Sequence, residues 1–171
     1  MNNLSALKPE VLIDKMAGDL RRLFHERNRP APAVVGIRTG GVWVAERLRA
    51  ALGIDGEMGA LNIAYHRDDF GRVGLHPAVE PSHLPFTVDD RHILLVDDIL
   101  YTGRTIRAAL NEIFDFGRPA SVTLAVLVDR GGRELPIQAD VTGASLTVAA
   151  DEHVKLTGPD PLTLTFVHKT A

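Results

Sequence analysis

Cysteine is absent from the 171 residues of this chain. That removes a disulfide framework, a thiolate metal site and a cysteine nucleophile from consideration. No apolar run approaches the ~20 residues needed to cross a bilayer. Met1–Glu10 contains no basic segment leading into an apolar one, so it does not read as a secretory signal. The expectation is a soluble, cytoplasmic protein. An excess of positive charge is lacking too: 19 Lys+Arg against 22 Asp+Glu gives −3, which does not by itself advertise a nucleic-acid surface. The seven histidines (25, 66, 76, 83, 92, 153 and 168) form no H-x-x-x-H or H-E-x-x-H pair, which argues against zinc held by the protein. No G-x-x-x-x-G-K-[ST] loop is present, so a Walker-type nucleotide site is excluded.

What is present is ordinary globular composition, 45% hydrophobic and 24% charged. The length suits a single domain over 1–171, with about two-thirds of the unfolded surface buried. Val11 to Asn28 has the spacing of an amphipathic helix, through Val11, Leu12, Met16, Leu20, Leu23 and Phe24, with Pro30-Ala-Pro32 ending it. Ala33–Ile37 reads as a buried strand, Arg38-Thr-Gly-Gly41 as a turn, and Val42–Leu52 as a second helix. Met58–Tyr65 reads as a strand. His66–Asp90 is polar and broken by Gly71, Gly74, Pro77, Pro81 and Pro85; a stretch that long without an element is usually functional or mobile. His92–Val96 is the most apolar strand candidate. Ile106–Phe116 has helical spacing and stops at Gly117. Ser121–Val128 is a β-branched strand, and weaker strands fall at 141–149 and 162–167. Strands alternating with helices imply an α/β fold with a mainly parallel sheet covered on both faces. Ligands in such sheets gather at the carboxyl ends of strands, where the loops 38–41, 97–105 and 129–133 open together.

The chemistry concentrates in Ile93-Leu-Leu-Val-Asp-Asp-Ile-Leu-Tyr-Thr-Gly-Arg-Thr105. An apolar strand delivers two carboxylates, and a turn with Thr102, Gly103 and Thr105 starts a helix. That helix start offers unpaired N–H groups and the positive end of the dipole to a phosphate. Gly103 permits close backbone approach, and the threonine hydroxyls add donors. Carboxylates beside a phosphate cradle would repel the phosphate unless something lies between. Ribose hydroxyls fit, donating to Asp97 and Asp98 while the 5′-phosphate sits a sugar-length away. A capped helix entry is the plain alternative, but capping uses one side chain and not this many polar ones. A phosphoacceptor receiver domain also pairs acids after a strand, yet has no use for Thr-Gly-Arg-Thr. Trp43 reads as a core or interface residue. Tyr101 has two readings, a wall of the sugar pocket or simple packing.

Leu94–Ile106 resembles the phosphoribosyl-pyrophosphate (PRPP) motif of type I phosphoribosyltransferases. Together with Gly117-Arg-Pro-Ala, Leu124-Ala-Val-Leu-Val-Asp-Arg-Gly and Arg133-Glu-Leu-Pro-Ile, it resembles the PyrR family, regulators of pyrimidine operons that are also uracil phosphoribosyltransferases. The likeness runs from about Leu20 to Val154. It implies the type I fold with a small hood and a lid over about 67–81. It further implies that Asp97 and Asp98 are the catalytic acids, bonding the ribose hydroxyls. Ile99, Leu100, Tyr101, Thr102, Gly103, Arg104 and Thr105 would form the sugar-phosphate loop, with the 5′-phosphate on 102–105. Thr39 and Gly40 would contact pyrophosphate, and Arg130 and Val154 would contact substrate near the base. Arg67 and Arg72 are either lid cations for the pyrophosphate or solvated loop charges.

The implied reaction joins uracil to PRPP, giving UMP and pyrophosphate, with Mg2+ bound mainly through PRPP. Homo-oligomers, dimers or higher, are implied as well. The alternative is a UMP-sensing, RNA-binding attenuator of a pyrimidine operon, which needs a basic surface. Several positions depart from the family pattern. Gly132 stands where His is common, Gln138 where Arg is, Ala144 where Lys is, and Gly40 where Arg often is. On the first helix Gly18 and Asp19 replace a hydroxyl and a base, while Lys15, Arg21, Arg22 and Arg27 remain. The losses at 18, 19, 132, 138 and 144 favour the enzyme, whereas Gly40 bears on the pyrophosphate loop.

Overall fold

Residues 7–63 and 80–169 are described by the structure, a computed structural model. The expected lid, with Arg67 and Arg72, lies outside the described residues except for positions 80 and 81.

Helix α1 spans Pro9–Glu26, two residues earlier at both ends than the apolar spacing suggests. Proline is at home in a helix's first turn, so Pro9 and Glu10 join the helix. At the other end the chain leaves the helix before Pro30 exerts any effect. Asn28 adopts φ 49°, and the Arg29 N–H donates back to the Phe24 carbonyl at 2.9 Å. Strand β1, Ala33–Ile37, is buried throughout as expected. Helix α2 spans Gly40–Leu52, so Gly40 and Gly41 are helical and not part of a turn. Packing demands glycine here: a Cβ on Gly41 would lie 2.7 Å from the Val96 carbonyl, and one on Gly36 would lie 2.7 Å from Val42 Cα. Strand β2 is Gly59–Leu61; of the expected 58–65, Asn62 and Ile63 are outside the strand and positions 64 and 65 lie outside the described residues. Asn62 then donates its N–H to Ser82 Oγ at 2.8 Å and leaves the ladder.

Strand β3 covers His92–Leu100, four residues beyond the expected end, so both acids belong to the strand itself. Helix α3 spans Arg104–Phe116 and strand β4 Ser121–Asp129. Strand β5 is Val141–Ser145, shorter than the expected 141–149. Strand β6, Glu152–Thr157, escapes the sequence pattern because only Val154 and Leu156 of it are buried. It pairs antiparallel with β7, Thr163–His168, forming a small two-stranded hood.

The main sheet has the order β2-β1-β3-β4-β5 and every pairing in it is parallel. Successive side chains of a strand face opposite sides. Leu94 and Val96 therefore enter the core under α1 and α2, while Ile93 and Leu95 enter the one under α3. This is the expected α/β architecture. No helix among the described residues is long and apolar enough to cross a membrane.

Leu95 is fully buried at the centre of the α3-side core. Leu95→Ala is expected to lower stability by about 2–5 kcal/mol in urea unfolding; a loss below ~1 kcal/mol would contradict this layering.

Candidate functional site

Parallel pairing brings the ends of β1, β3 and β4 to one edge. Gly36 lies beside Val96 and Leu100 beside Asp129, so the loops after all three strands meet. The expectation that 38–41, 97–105 and 129–133 converge is met by this geometry.

Asp97 is buried, and its Oδ1 accepts the Asp98 N–H at 2.9 Å. Asp98 is half-buried, and its Oδ1 accepts the Ile99 N–H at 2.8 Å. Each carboxylate is thus oriented by backbone one residue on. The second oxygen of Asp98 lies against α2, in the space that a Cβ on Gly40 would take. The glycine that departs from the family pattern therefore makes room for the carboxylate. The Arg38–Thr39 peptide preceding α2 is cis.

Thr39, Gly40, Trp43, Asp97, Asp98, Ile99, Thr105, Val154, Lys155 and Leu156 line one pocket of about 530 Å³. A smaller hollow of about 70 Å³ adjoins it, between Asp97 and the first turn of α3, and Tyr101, Thr102 and Gly103 line it. Asp97, Ile99 and Thr105 border both. Gly103 has φ 93°, as only glycine readily does. Thr102 Oγ1 accepts the Arg104 N–H at 3.2 Å, so this hydroxyl serves the helix start. The N–H groups of Thr105 and Ile106, in the first turn, have no intrahelical carbonyl to bond. Together these features make a helix-terminus anion seat one hollow away from two carboxylates.

Not every expected residue faces the pocket. The Arg104 side chain turns to Glu134, Nε to Oε2 2.8 Å, with both half-exposed. Leu100 is buried in the α3-side core and borders only the smaller hollow. Arg130 is buried with its guanidinium 3.9 Å from the Tyr101 ring centroid, and it lines neither space. Gly132 accommodates that stack, since a Cβ there would meet Tyr101 Cε2 at 2.5 Å. Val154 reaches the pocket from the hood. Arg67 lies outside the described residues.

Three pocket residues escaped the sequence reading. Trp43, read as core or interface, packs partly on the core and also lines the pocket. Its position one helical turn after Gly40 is the signal that could have found it. Lys155 and Leu156 arrive on β6, whose existence the sequence did not suggest. Among the described residues no group of three or more His, Cys, Asp or Glu could hold a metal. Among the described residues the donor set here is Asp97 and Asp98. It suits a hard divalent ion that keeps water and takes most ligands from a substrate's phosphates, and does not suit a protein cage.

A family model described as "Phosphoribosyl transferase domain" matches residues 5–160. The chain is 63% identical over 159 residues to the "Bifunctional protein PyrR" of Nitrosococcus oceani, covering 92% of this chain and 90% of that one. It is 56% identical over 161 residues to the protein of the same name from Pseudomonas paraeruginosa, covering 94% and 95%. Among solved structures, the hypoxanthine phosphoribosyltransferase of Trypanosoma cruzi superposes with a TM-score of 0.60. That match is at 22% identity, over 81% of this chain and 77% of the other; it speaks for the fold.

The two glycines that open α2 should respond differently to a methyl group. Gly41→Ala meets a backbone carbonyl that cannot turn away and should cost about 1–3 kcal/mol. Gly40→Ala meets the Asp98 side chain and no backbone atom among its nearest neighbours; the carboxylate can rotate away, and the cost should be less than ~1 kcal/mol. Urea unfolding of the two variants checks the order, and a crystal structure of Gly40→Ala should have the Asp98 carboxylate displaced.

Proposed function

The chain belongs to the phosphoribosyltransferase family and, within it, to the PyrR proteins, and on that premise we propose that it makes UMP and pyrophosphate from uracil and PRPP. The observation that carries this is the juxtaposition of an anion seat at the start of α3 with Asp97 and Asp98, across one pocket from Thr39 and Gly40. A pentose carrying a phosphate at one end and a pyrophosphate at the other matches that spacing of an anion seat, acids and a second loop.

In this reading Asp97 and Asp98 accept from the ribose hydroxyls. The segment from Ile99 to Thr105 holds the sugar phosphate, through backbone more than through the Arg104 guanidinium. Thr39 and Gly40 face the pyrophosphate, and Val154 borders the base. Arg130 acts by holding Tyr101 beneath it. Arg67 is assigned to the lid. The C1–O bond to pyrophosphate breaks as the C1–N1 bond to uracil forms, and the uracil N1 proton leaves to solvent. Positioning and exclusion of water dominate, so the site needs no nucleophile of its own. Mg2+, when bound with PRPP, would neutralise the departing pyrophosphate; among the described residues of the pocket lining, Asp97 and Asp98 are the carboxylates that would meet it. The choice of uracil rests on the PyrR-like wording after Gly117. A single domain over 1–171, a homo-oligomer and a cytoplasmic setting complete the proposal.

The name of the relatives, bifunctional, favours a second activity: binding of pyrimidine-operon RNA, with UMP sensed in this pocket. The basic residues Lys15, Arg21 and Arg22 of α1, and Arg27 at its C-cap, have partners within the protein. Lys15 and Arg22 pair with Asp19 at 3.1 and 2.8 Å, and Arg27 with Asp140 at 3.3 Å. Arg21 bonds the Ala51 carbonyl. These partners compete with RNA phosphates, and the enzyme remains the leading reading.

Replacing both acids, Asp97→Asn with Asp98→Asn, should reduce UMP formation from uracil and Mg-PRPP by on the order of 100-fold or more, with an unchanged circular dichroism spectrum. Full activity in that variant would overturn the assignment. A gel shift with pyrimidine-operon RNA over a salt series, run beside it, tests the second activity; a clear shift from a protein with no turnover would reverse the ranking.

A further inference from the structure

We infer that Arg133 is a positioning residue for the anion seat: its guanidinium fixes which way the peptide units of the 101–103 loop point. The inference rests on the proposed site and goes on to name what holds that site in shape. A loop that offers N–H groups to an anion must turn its carbonyls the other way, and carbonyls held by donors behind the loop fix that orientation. The carbonyls of residues 100–103 all have one. Leu100 O accepts the Arg130 N–H at 3.1 Å, and Thr102 O accepts those of Glu134 and Leu135 at 2.9 and 3.1 Å. Gly103 O accepts the Arg107 N–H at 3.0 Å. Tyr101 O is the one served by a side chain, Arg133 Nη1 at 2.6 Å.

Arg133 is itself held at the other corners of its planar fork. Nε donates to the Ile137 carbonyl at 2.7 Å, and Nη2 donates to Asp129 Oδ2 at 2.6 Å. The fork thus ties the end of β4 and the 133–137 segment to the back of the loop. Ile137 in turn packs against Gly103, where a Cβ would be 3.0 Å away. The charge of Arg133 is matched by Asp129 in an ion pair that is mostly buried, with side chains 23% and 20% exposed. Its contribution is therefore geometric: it does not act as a free cation drawing phosphate in. Lysine, with a point charge and no planar fork, cannot serve three acceptors in these directions.

The test compares wild type with Arg133→Met and Arg133→Lys in the full chain. Binding of inorganic phosphate is followed at the Gly103 and Thr105 amides by NMR, and KM is measured separately for PRPP and uracil. Phosphate affinity and KM for PRPP should worsen about 10- to 100-fold in Arg133→Met, less in Arg133→Lys, while KM for uracil stays within two-fold. Millimolar guanidinium, far below denaturing concentration, should restore part of the loss in Arg133→Met. Wild-type phosphate binding in both folded variants would overturn the inference. So would equal worsening of both KM values, which is what general loosening produces, or amides in wild type that do not respond to phosphate. If Arg133→Met does not fold, Arg133→Lys carries the same comparison. Phosphate binding that depends on Arg133 in a protein with no uracil turnover would sink the proposed reaction and leave this inference standing.

Discussion

The whole site depends on how closely the first turn of α2 presses onto the end of β3. Gly36 lies level with Val96 in the parallel ladder, so the chain leaves β1 just where β3 passes from apolar to acidic residues. With side chains at 36 or 41 the helix could not approach, because a Cβ there would lie 2.7 Å from backbone atoms, and one at 40 would take the space of the Asp98 carboxylate. Close approach then sets the positive end of α2 beside the carboxylates, where its dipole favours negative charge. The hood follows from the same contact. Trp43, one turn along α2, packs against Gly158 at the β6–β7 turn, and Arg47 donates to the Pro159 carbonyl at 2.8 Å.

Much of this was legible in the chain itself. The run Ala33–Ile37 read as a strand because fully buried parallel strands are continuously apolar, and Ser121–Val128 because it is rich in β-branched residues. The acids at 97 and 98, with Thr102, Gly103 and Thr105 behind them, announced a loop feeding a helix. Periodicity was poorest where packing overrides it. Asp97 and Asp98 broke the apolar pattern, so β3 read as ending four residues early, although its ladder to β4 continues to Leu100. The glycines at 40 and 41 carry low helix propensity and read as a turn, yet they open α2, where their lack of a side chain lets the helix lie close on β3. Strand β6 could not be read because its polar residues alternate with just two buried ones.

The division of labour between side chains and backbone also stayed hidden in the sequence. A run such as Thr-Gly-Arg-Thr suggests an arginine aimed at a phosphate, but Arg104 turns outward to Glu134. The loop's carbonyls are held from behind by residues 129–137, through the Arg130, Glu134 and Leu135 amides and the Arg133 guanidinium. This also explains why so polar a segment as Asp129-Arg-Gly-Gly-Arg133 belongs at the sheet's edge without lining the main pocket.

Trp43 is the only tryptophan in the chain, and it stands in the wall of the pocket. The protein therefore carries a built-in optical reporter. Any molecule that seats beside the indole changes its local polarity and solvation, and its emission can follow occupancy of the pocket without a label.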